Sequence, residues 1–258
     1  MESSNPEPKK ILVVVPTRGI EQDPNKWLKS YLGVLNDIRS RGFTHALMFI
    51  YQDTWFSAAN KMFNTAFAYD FDYILRMDDD VWGIGGDYFS RLYDADKDVI
   101  GALYATRYFP YVYAALNKVD KTKDILKSYE NKENYLTEAR GTGIQKADLI
   151  GFGMTLIKVA PFRLVERPLF PKEELCPDDT YFADICDKNG IEQYVHMDLK
   201  MAHREVTPMN RVYLMNADAR MMLQNGIIKD DGTNEFVSKL VGTFGADGLK
   251  DLDKLVAI

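Results

Sequence analysis

The sequence predicts an α/β fold, a mostly parallel central sheet flanked by helices and followed by a C-terminal helical tail. Three observations predict it. Short runs apolar on both faces alternate with segments of helical period, the pattern of a helix-covered parallel sheet. Each early run ends in polar or acidic residues, where strand ends of such sheets meet ligands. The third run, Tyr73-Ile74-Leu75-Arg76-Met77, closes on Asp78-Asp79-Asp80.

Ile11 to Val15 is a continuous β-branched and aliphatic run, followed by Pro16-Thr17-Arg18-Gly19. It reads as a central strand with a βα turn beyond it. Residues 25 to 40 set Trp27, Leu28, Tyr31, Leu32, Leu35 and Ile38 at helical spacing. Ala46 to Tyr51 is the second strand and ends at Gln52-Asp53. Trp55 to Tyr69 is the second helix, with Ala58, Ala59, Met62, Phe63, Ala66 and Phe67 on its packed side. Tyr73 to Met77 is the third strand. Right-handed crossovers bring the three strand ends to one edge, so Thr17, Arg18, Asp53 and the triplet are expected to share a crevice.

Beyond the triplet, Asp87 to Asp94 reads as a short helix and Val99 to Tyr104 as another strand. The segment Thr106 to Tyr113 is either a cleft-lining loop or an edge strand of alternating tyrosines. Residues 117 to 138 form a charged excursion. Gly141-Thr142-Gly143 opens a strand over Ile144 to Leu149, and Gly151-Phe152-Gly153 opens the next. Glycines there indicate a bulge or a close approach of backbone to a ligand; the dinucleotide fingerprint, which opens a helix, does not fit. Pro161 to Arg167 is a short helix. Asp178 and Asp179 begin a helix whose buried face includes Tyr181, Phe182 and Ile185, ending at Asn189-Gly190. Helix capping explains one of these carboxylates and does not need both. Gln193 to Met197 is a strand, and His203 follows it. The domain division is a flexible N-terminus over 1–9, a catalytic domain over 10–207 and a helical extension over 208–258, a cover or a homo-oligomer contact.

An isolated acidic triplet is most simply a solvated turn. Three adjacent anions become favourable together when a divalent cation with its phosphates sits on them, because hard oxygen ligands suit Mn2+ or Mg2+. His203 would add an imidazole to such a site; a lone histidine is otherwise ordinary structure. Composition narrows the function further. The net charge of −6 and the lack of a Lys/Arg-dense stripe argue against nucleic acid as a general partner. Two cysteines, Cys176 and Cys186, make no disulfide scaffold. The polar, proline-containing N-terminus and the lack of a long apolar run lead to the expectation of a cytoplasmic protein with no transmembrane segment.

In this order the motifs resemble a nucleotide-sugar glycosyltransferase of the A-type fold, closest to family 2, over roughly residues 10 to 205. They are Pro16-Thr17-Arg18, Asp53, Tyr73 to Val81, Gly151 to Lys158, Pro177 to Phe182 and the late His203. The resemblance implies a UDP- or GDP-sugar donor, a glycan or other hydroxyl acceptor and an Mn2+ or Mg2+ cofactor. The family's Asp-x-Asp motif falls on Asp78 and Asp80, with Asp79 between. Asp80, Asp78 and His203 would then hold the metal. Pro16, Thr17, Arg18, Asp53, Asp78 and Asp79 would hold the nucleotide-sugar. The second acidic motif falls on Asp178-Asp179, with Asp179 as general base of an inverting enzyme. Where many members carry Ala-Arg-Asn, this chain has Ala58-Ala59-Asn60-Lys61, and Lys61 stands in for the missing arginine as a phosphate contact. The acceptor-side tryptophan motif of processive synthases is missing. Two rivals remain: a sugar-phosphate nucleotidyltransferase, for which the Pro16 to Gly19 loop is short, and a nucleotide- or glycan-binding module without turnover.

Overall fold

The computed structural model describes residues 8–17, 24–51, 53–105, 114–116, 142–172 and 176–203. Arg18, the 106–113 segment, the 117–138 excursion and the 208–258 extension lie outside them.

The chain begins β1 (Lys10–Thr17), α1 (Pro24–Ser40), β2 (Thr44–Tyr51), α2 (Trp55–Ala68) and β3 (Tyr73–Met77), as the alternating periods predict. It continues through β4 (Val81–Trp82), α3 (Tyr88–Asp94), β5 (Val99–Tyr104), β6 (Ala115–Leu116), β7 (Ile144–Ala147), β8 (Leu149–Ile150) and β9 (Met154–Lys158). A 3-10 turn over Ala160–Leu164, α4 (Asp178–Lys188) and β10 (Gln193–His203) complete it. The eight-stranded sheet has the order β2-β1-β3-β9-β5-β10-β4, with β7 paired to β10. Strands β2, β1, β3, β5 and β10 run in one direction, and β9, β7 and β4 run against them.

The helices cover two faces because the strands are apolar on both. Ile11, Val13 and Val15 pack with Tyr31, Val34, Leu35 and Ile38 of α1 and Phe89 and Leu92 of α3. Leu12 and Val14 pack with Met62, Phe63 and Ala66 of α2 and Phe182 and Ile185 of α4. Burying a side chain of this size stabilises by about 1.5–3 kcal/mol, so this alternation fixes the register of β1. Thr54 caps α2 by accepting from the Ser57 N–H at 3.3 Å. Asp37 of α1 accepts from Ser90 N and Oγ at 2.9 and 2.5 Å, tying α1 to α3.

Four expectations are corrected. The run from Ile144 to Leu149 is two strands, β7 and β8, rather than one. The 161–167 helix is a shorter 3-10 turn over Ala160–Leu164. Strand β10 extends to His203, so this histidine ends a strand instead of following one; a register shift between His196 and Lys200 against β5 lets it run on. The close approach at Gly151 and Gly153 is to a protein side chain: a Cβ at either would lie within 2.2–2.7 Å of the Tyr104 ring or hydroxyl.

Candidate active site

Strand β3 ends at Met77, and its direction delivers Asp78, Asp79 and Asp80 to the edge where β1 ends at Thr17. These residues touch. Thr17 Oγ1 donates to Asp79 Oδ2 at 2.6 Å. Asp80, 3% exposed, faces the last residue of β10, with His203 Nε2 3.3 Å from Asp80 Oδ2. The other ring nitrogen, Nδ1, lies 2.8 Å from the Ala105 carbonyl oxygen. A carbonyl only accepts, so Nδ1 carries the proton there. In the neutral ring, Nε2 then presents a lone pair to a carboxylate oxygen. Two acceptors at this separation repel unless a proton or a cation lies between them.

Asp78 turns the other way. Its Oδ1 lies 3.4 Å from Arg76 Nε and Nη2. Arg76 is 5% exposed, an arginine inside an otherwise apolar strand. Its guanidinium ion-pairs with Asp178 at the start of α4 and stacks on Phe152, 4.2 Å from the ring centroid. Burial opposes its charge, but Asp178 and Asp78 more than offset that and raise its pKa above the ordinary value. Burial also raises Asp78, with Arg76 pulling it back down.

Asp179 follows Asp178 in the first turn of α4 and accepts from the Thr180 N–H at 2.7 Å. No side chain caps α4 from Pro177; instead each aspartate takes the N–H that follows it, Asp179 N donating to Asp178 Oδ1 at 3.1 Å. Of this pair, Asp178 is the one ion-paired to Arg76 among the described residues. Asp179 keeps an edge open to solvent, yet its pKa is pushed up to about 7, chiefly by burial and next by the charge of Asp178; the Thr180 N–H and Arg76 oppose the rise. Such a carboxylate is poised to exchange a proton near neutral pH.

Tyr104, at the end of β5, closes the constellation. Its ring meets His203 edge-on at 5.2 Å. Burial holds its phenol well above the ordinary value, and Asp78 and Asp179 push it further.

Thr17 thus meets Asp79, and Asp80 meets His203; Arg76 joins Asp78 to Asp178, and Tyr104 lies against His203, and neither Arg76 nor Tyr104 was singled out from the sequence. The signal for Arg76 was available: a charged residue in a fully buried strand needs partners. Pro16 lies in β1 next to Thr17. Asp53 and Lys61 form their own pair, Lys61 Nζ to Asp53 Oδ2 at 2.7 Å, and that hydrogen bond holds the Asp53 carboxyl below its usual range. Lys61 is therefore engaged with a residue eight positions earlier, just ahead of α2. Its neighbour Asn60 bonds the backbone of Phe170 in both directions, at 2.8 and 3.1 Å.

Among the described residues no cluster of three or more His, Cys, Asp or Glu is arranged around a common metal position. Of the expected set Asp78, Asp80 and His203, Asp80 and His203 face each other at 3.3 Å, while Asp78 Oδ1 lies 3.4 Å from Arg76. The pair still fits a divalent cation. Its acceptors face each other, its donors are a carboxylate and an imidazole, and cations of nucleotide sites take most remaining ligands from phosphates and water.

No protein-family model matches the chain, and no curated protein matches it in sequence. Solved structures that are similar in part include A197 from STIV, at 14% identity and a TM-score of 0.46, over 76% of this chain and 95% of that one. Another is the catalytic domain of Drosophila beta1,4galactosyltransferase 7 in complex with xylobiose, at 15% identity and a TM-score of 0.43, over 76% of this chain and 70% of that one. A third is GalNAc-T7 with UDP, GalNAc and Mn2+, at 7% identity and a TM-score of 0.46, over 77% of this chain and 44% of that one. No helix among the described residues is long and apolar enough to cross a membrane.

Proposed function

We propose that the chain is a metal-dependent glycosyltransferase that moves a sugar from a nucleotide-sugar to an acceptor hydroxyl with inversion. The observation that carries the reading is the division of labour among the carboxylates at one strand edge. Asp80 and His203 face each other as acceptors, Asp178 is neutralised by Arg76, and Asp179 keeps a raised pKa with an open edge. The order of motifs along the chain, which resembles the A-type family, supports it.

In this reading Asp80 and His203 hold Mn2+ or Mg2+, which when bound supplies a Lewis acid for the charge on the departing nucleoside diphosphate. Thr17 fixes Asp79, so the triplet's backbone is anchored before donor arrives. Asp53 lies beyond the end of β2 and Arg18 follows Thr17 in the sequence; in this reading they hold nucleobase and ribose. Asp179 accepts the proton of the attacking hydroxyl, a contribution of about 10²–10⁴-fold. Arg76 holds Asp178 against β3 and so sets where the first turn of α4, and Asp179 with it, can stand. Lys61, occupied by Asp53, is left out of the phosphate contacts.

The test is a thermal-shift panel of UDP- and GDP-sugars with and without Mn2+. A binder at a hundredfold excess over its Kd stabilises by about 2.7 kcal/mol. Stabilisation by one donor class that requires the metal is expected. A metal-independent response to every nucleotide, or none to any, would contradict the reading.

A further inference from the structure

Strand β2 ends the sheet order, with β1 on one side and no strand among the described residues on the other. It is eight residues long, Thr-His-Ala-Leu-Met-Phe-Ile-Tyr. Protein edges are commonly blunted by a charge, a proline or a bulge. This edge has no proline and no acidic or basic residue apart from His45, and it pairs with β1 without interruption from Thr44 to Tyr51. Burial, and after it the charge of Arg39, lowers the pKa of His45, which leaves it neutral at pH 7.

The outward side chains are apolar as well. Leu47 is 45% exposed and Phe49 53%, and they share one face of the strand. Helix α1 lies over that face, with Trp27 and Tyr31 at 6.4 and 6.0 Å from the Phe49 ring. Ser30 and Asp37 mark the side of α1 turned to β4 and α3, through bonds to Gly83 and Ser90. At 100° per residue, Leu28 and Leu32 stand roughly half a turn away from them, on the side toward the open edge. They are 45% and 49% exposed. Leu28, Leu32, Leu47 and Phe49 thus make one apolar strip along a strand that has no second strand neighbour among the described residues, with Asn36 and Arg39 exposed on α1.

We propose that β2 is a homodimer interface, two copies pairing antiparallel about a two-fold axis at Met48 to make one continuous sheet. Antiparallel partners directly opposite share a face. A register centred on Met48 therefore sets Leu47 of each copy opposite Phe49 of the other, and Ala46 opposite Ile50. Each exposed large side chain meets its complement, an aromatic against an aliphatic. The uncharged strand brings no like charges together, which is the condition a self-pairing edge must meet and a charged one fails. A second copy is the occupant that satisfies the backbone, the apolar strip and the charge balance with one surface.

Sedimentation of the full chain tests this. Wild type is expected at twice the 29.6 kDa chain mass at tens of micromolar. Leu47→Lys with Phe49→Lys places like charges opposite each other and is expected to give monomer, with unchanged far-UV circular dichroism. Leu47→Lys with Phe49→Glu places opposite charges across the same register and is expected to restore dimer at low salt, tightening association at least tenfold over the double-lysine variant. A monomeric wild type overturns the proposal. So does equal behaviour of the two double variants, whether both associate or neither does. If the double-lysine variant loses its circular dichroism signal, wild-type mass and the lysine–glutamate variant still decide.

Discussion

Arg76 and Asp178 ion-pair across 102 residues of sequence, joining the middle of β3 to the start of α4. The pair is buried, the two side chains being 6% and 10% exposed. Through it, the strand that carries the acidic triplet also determines where the second acidic pair stands. Breaking a buried pair from one side leaves an uncompensated charge, which costs about 3–5 kcal/mol. Arg76→Met is expected to destabilise by that amount in urea denaturation. Arg76→Met with Asp178→Leu is expected to recover much of the stability while transfer stays lost, because α4 is no longer tied to the triplet. Full activity in the stable double variant would show that the pair has no positioning role.

In the proposed function, Asp179 links folding and catalysis to pH with opposite signs. Its folded pKa is about 7, above the ordinary carboxylate range, so the folded state holds the proton more tightly than the unfolded chain. This group's contribution to stability is complete below the unfolded pKa, near 4, and is lost as pH rises through about 7. Asp179→Asn is therefore expected to melt higher than wild type at pH 8, with the difference gone at pH 4. The proposed transfer uses the base form, so the wild-type rate should rise with pH through about 7. A flat rate profile between pH 6 and 8 would remove Asp179 from the proton-accepting role.

Asp80, His203 and Asp79 are expected to separate in calorimetry with nucleoside diphosphate and Mn2+. Asp80→Ala should abolish metal-dependent binding and His203→Ala weaken it by at least tenfold. Asp79→Ala, which loses the 2.6 Å bond from Thr17, should change it by less than threefold. Equal losses at all three positions would mean that the triplet acts as a diffuse anion cluster rather than through the Asp80–His203 pair.

Gly151 and Tyr104 form a steric lock. A Cβ at Gly151 would lie 2.2 Å from the Tyr104 hydroxyl, so Gly151→Ala is expected to destabilise by about 1–3 kcal/mol. Adding Tyr104→Phe should return part of that loss, since it removes the nearest atom. Thermal melts of the single and double variants measure the coupling, and strict additivity would refute it.

Much of this was legible in the sequence. The β-α-β-α-β order from Lys10 to Met77 follows from apolar runs and helical periods that have no competing reading. The acidic foci at Asp78–Asp80 and Asp178–Asp179 stand out because such residues do not sit in strand interiors. What was not legible depends on strand direction. Strand β9 enters the sheet antiparallel between β3 and β5, and no local pattern announces that. The Arg76–Asp178 pair joins β3 to the start of α4 across 102 residues, which is a tertiary fact. The pairing of Lys61 with Asp53, eight residues earlier, is likewise not announced by the motif in which Lys61 stands.

Product formation tests the central claim most directly. The chain is incubated with UDP- or GDP-sugar, Mn2+ and a panel of glycan acceptors, and nucleoside diphosphate and glycosylated product are measured together. Stoichiometric release of both by wild type, with inverted anomeric configuration by NMR, and no product from Asp179→Asn or Asp80→Ala, is the expected result. Transfer by Asp80→Ala at the wild-type rate, or pyrophosphate from a nucleoside triphosphate and a sugar phosphate in place of transfer, would contradict it.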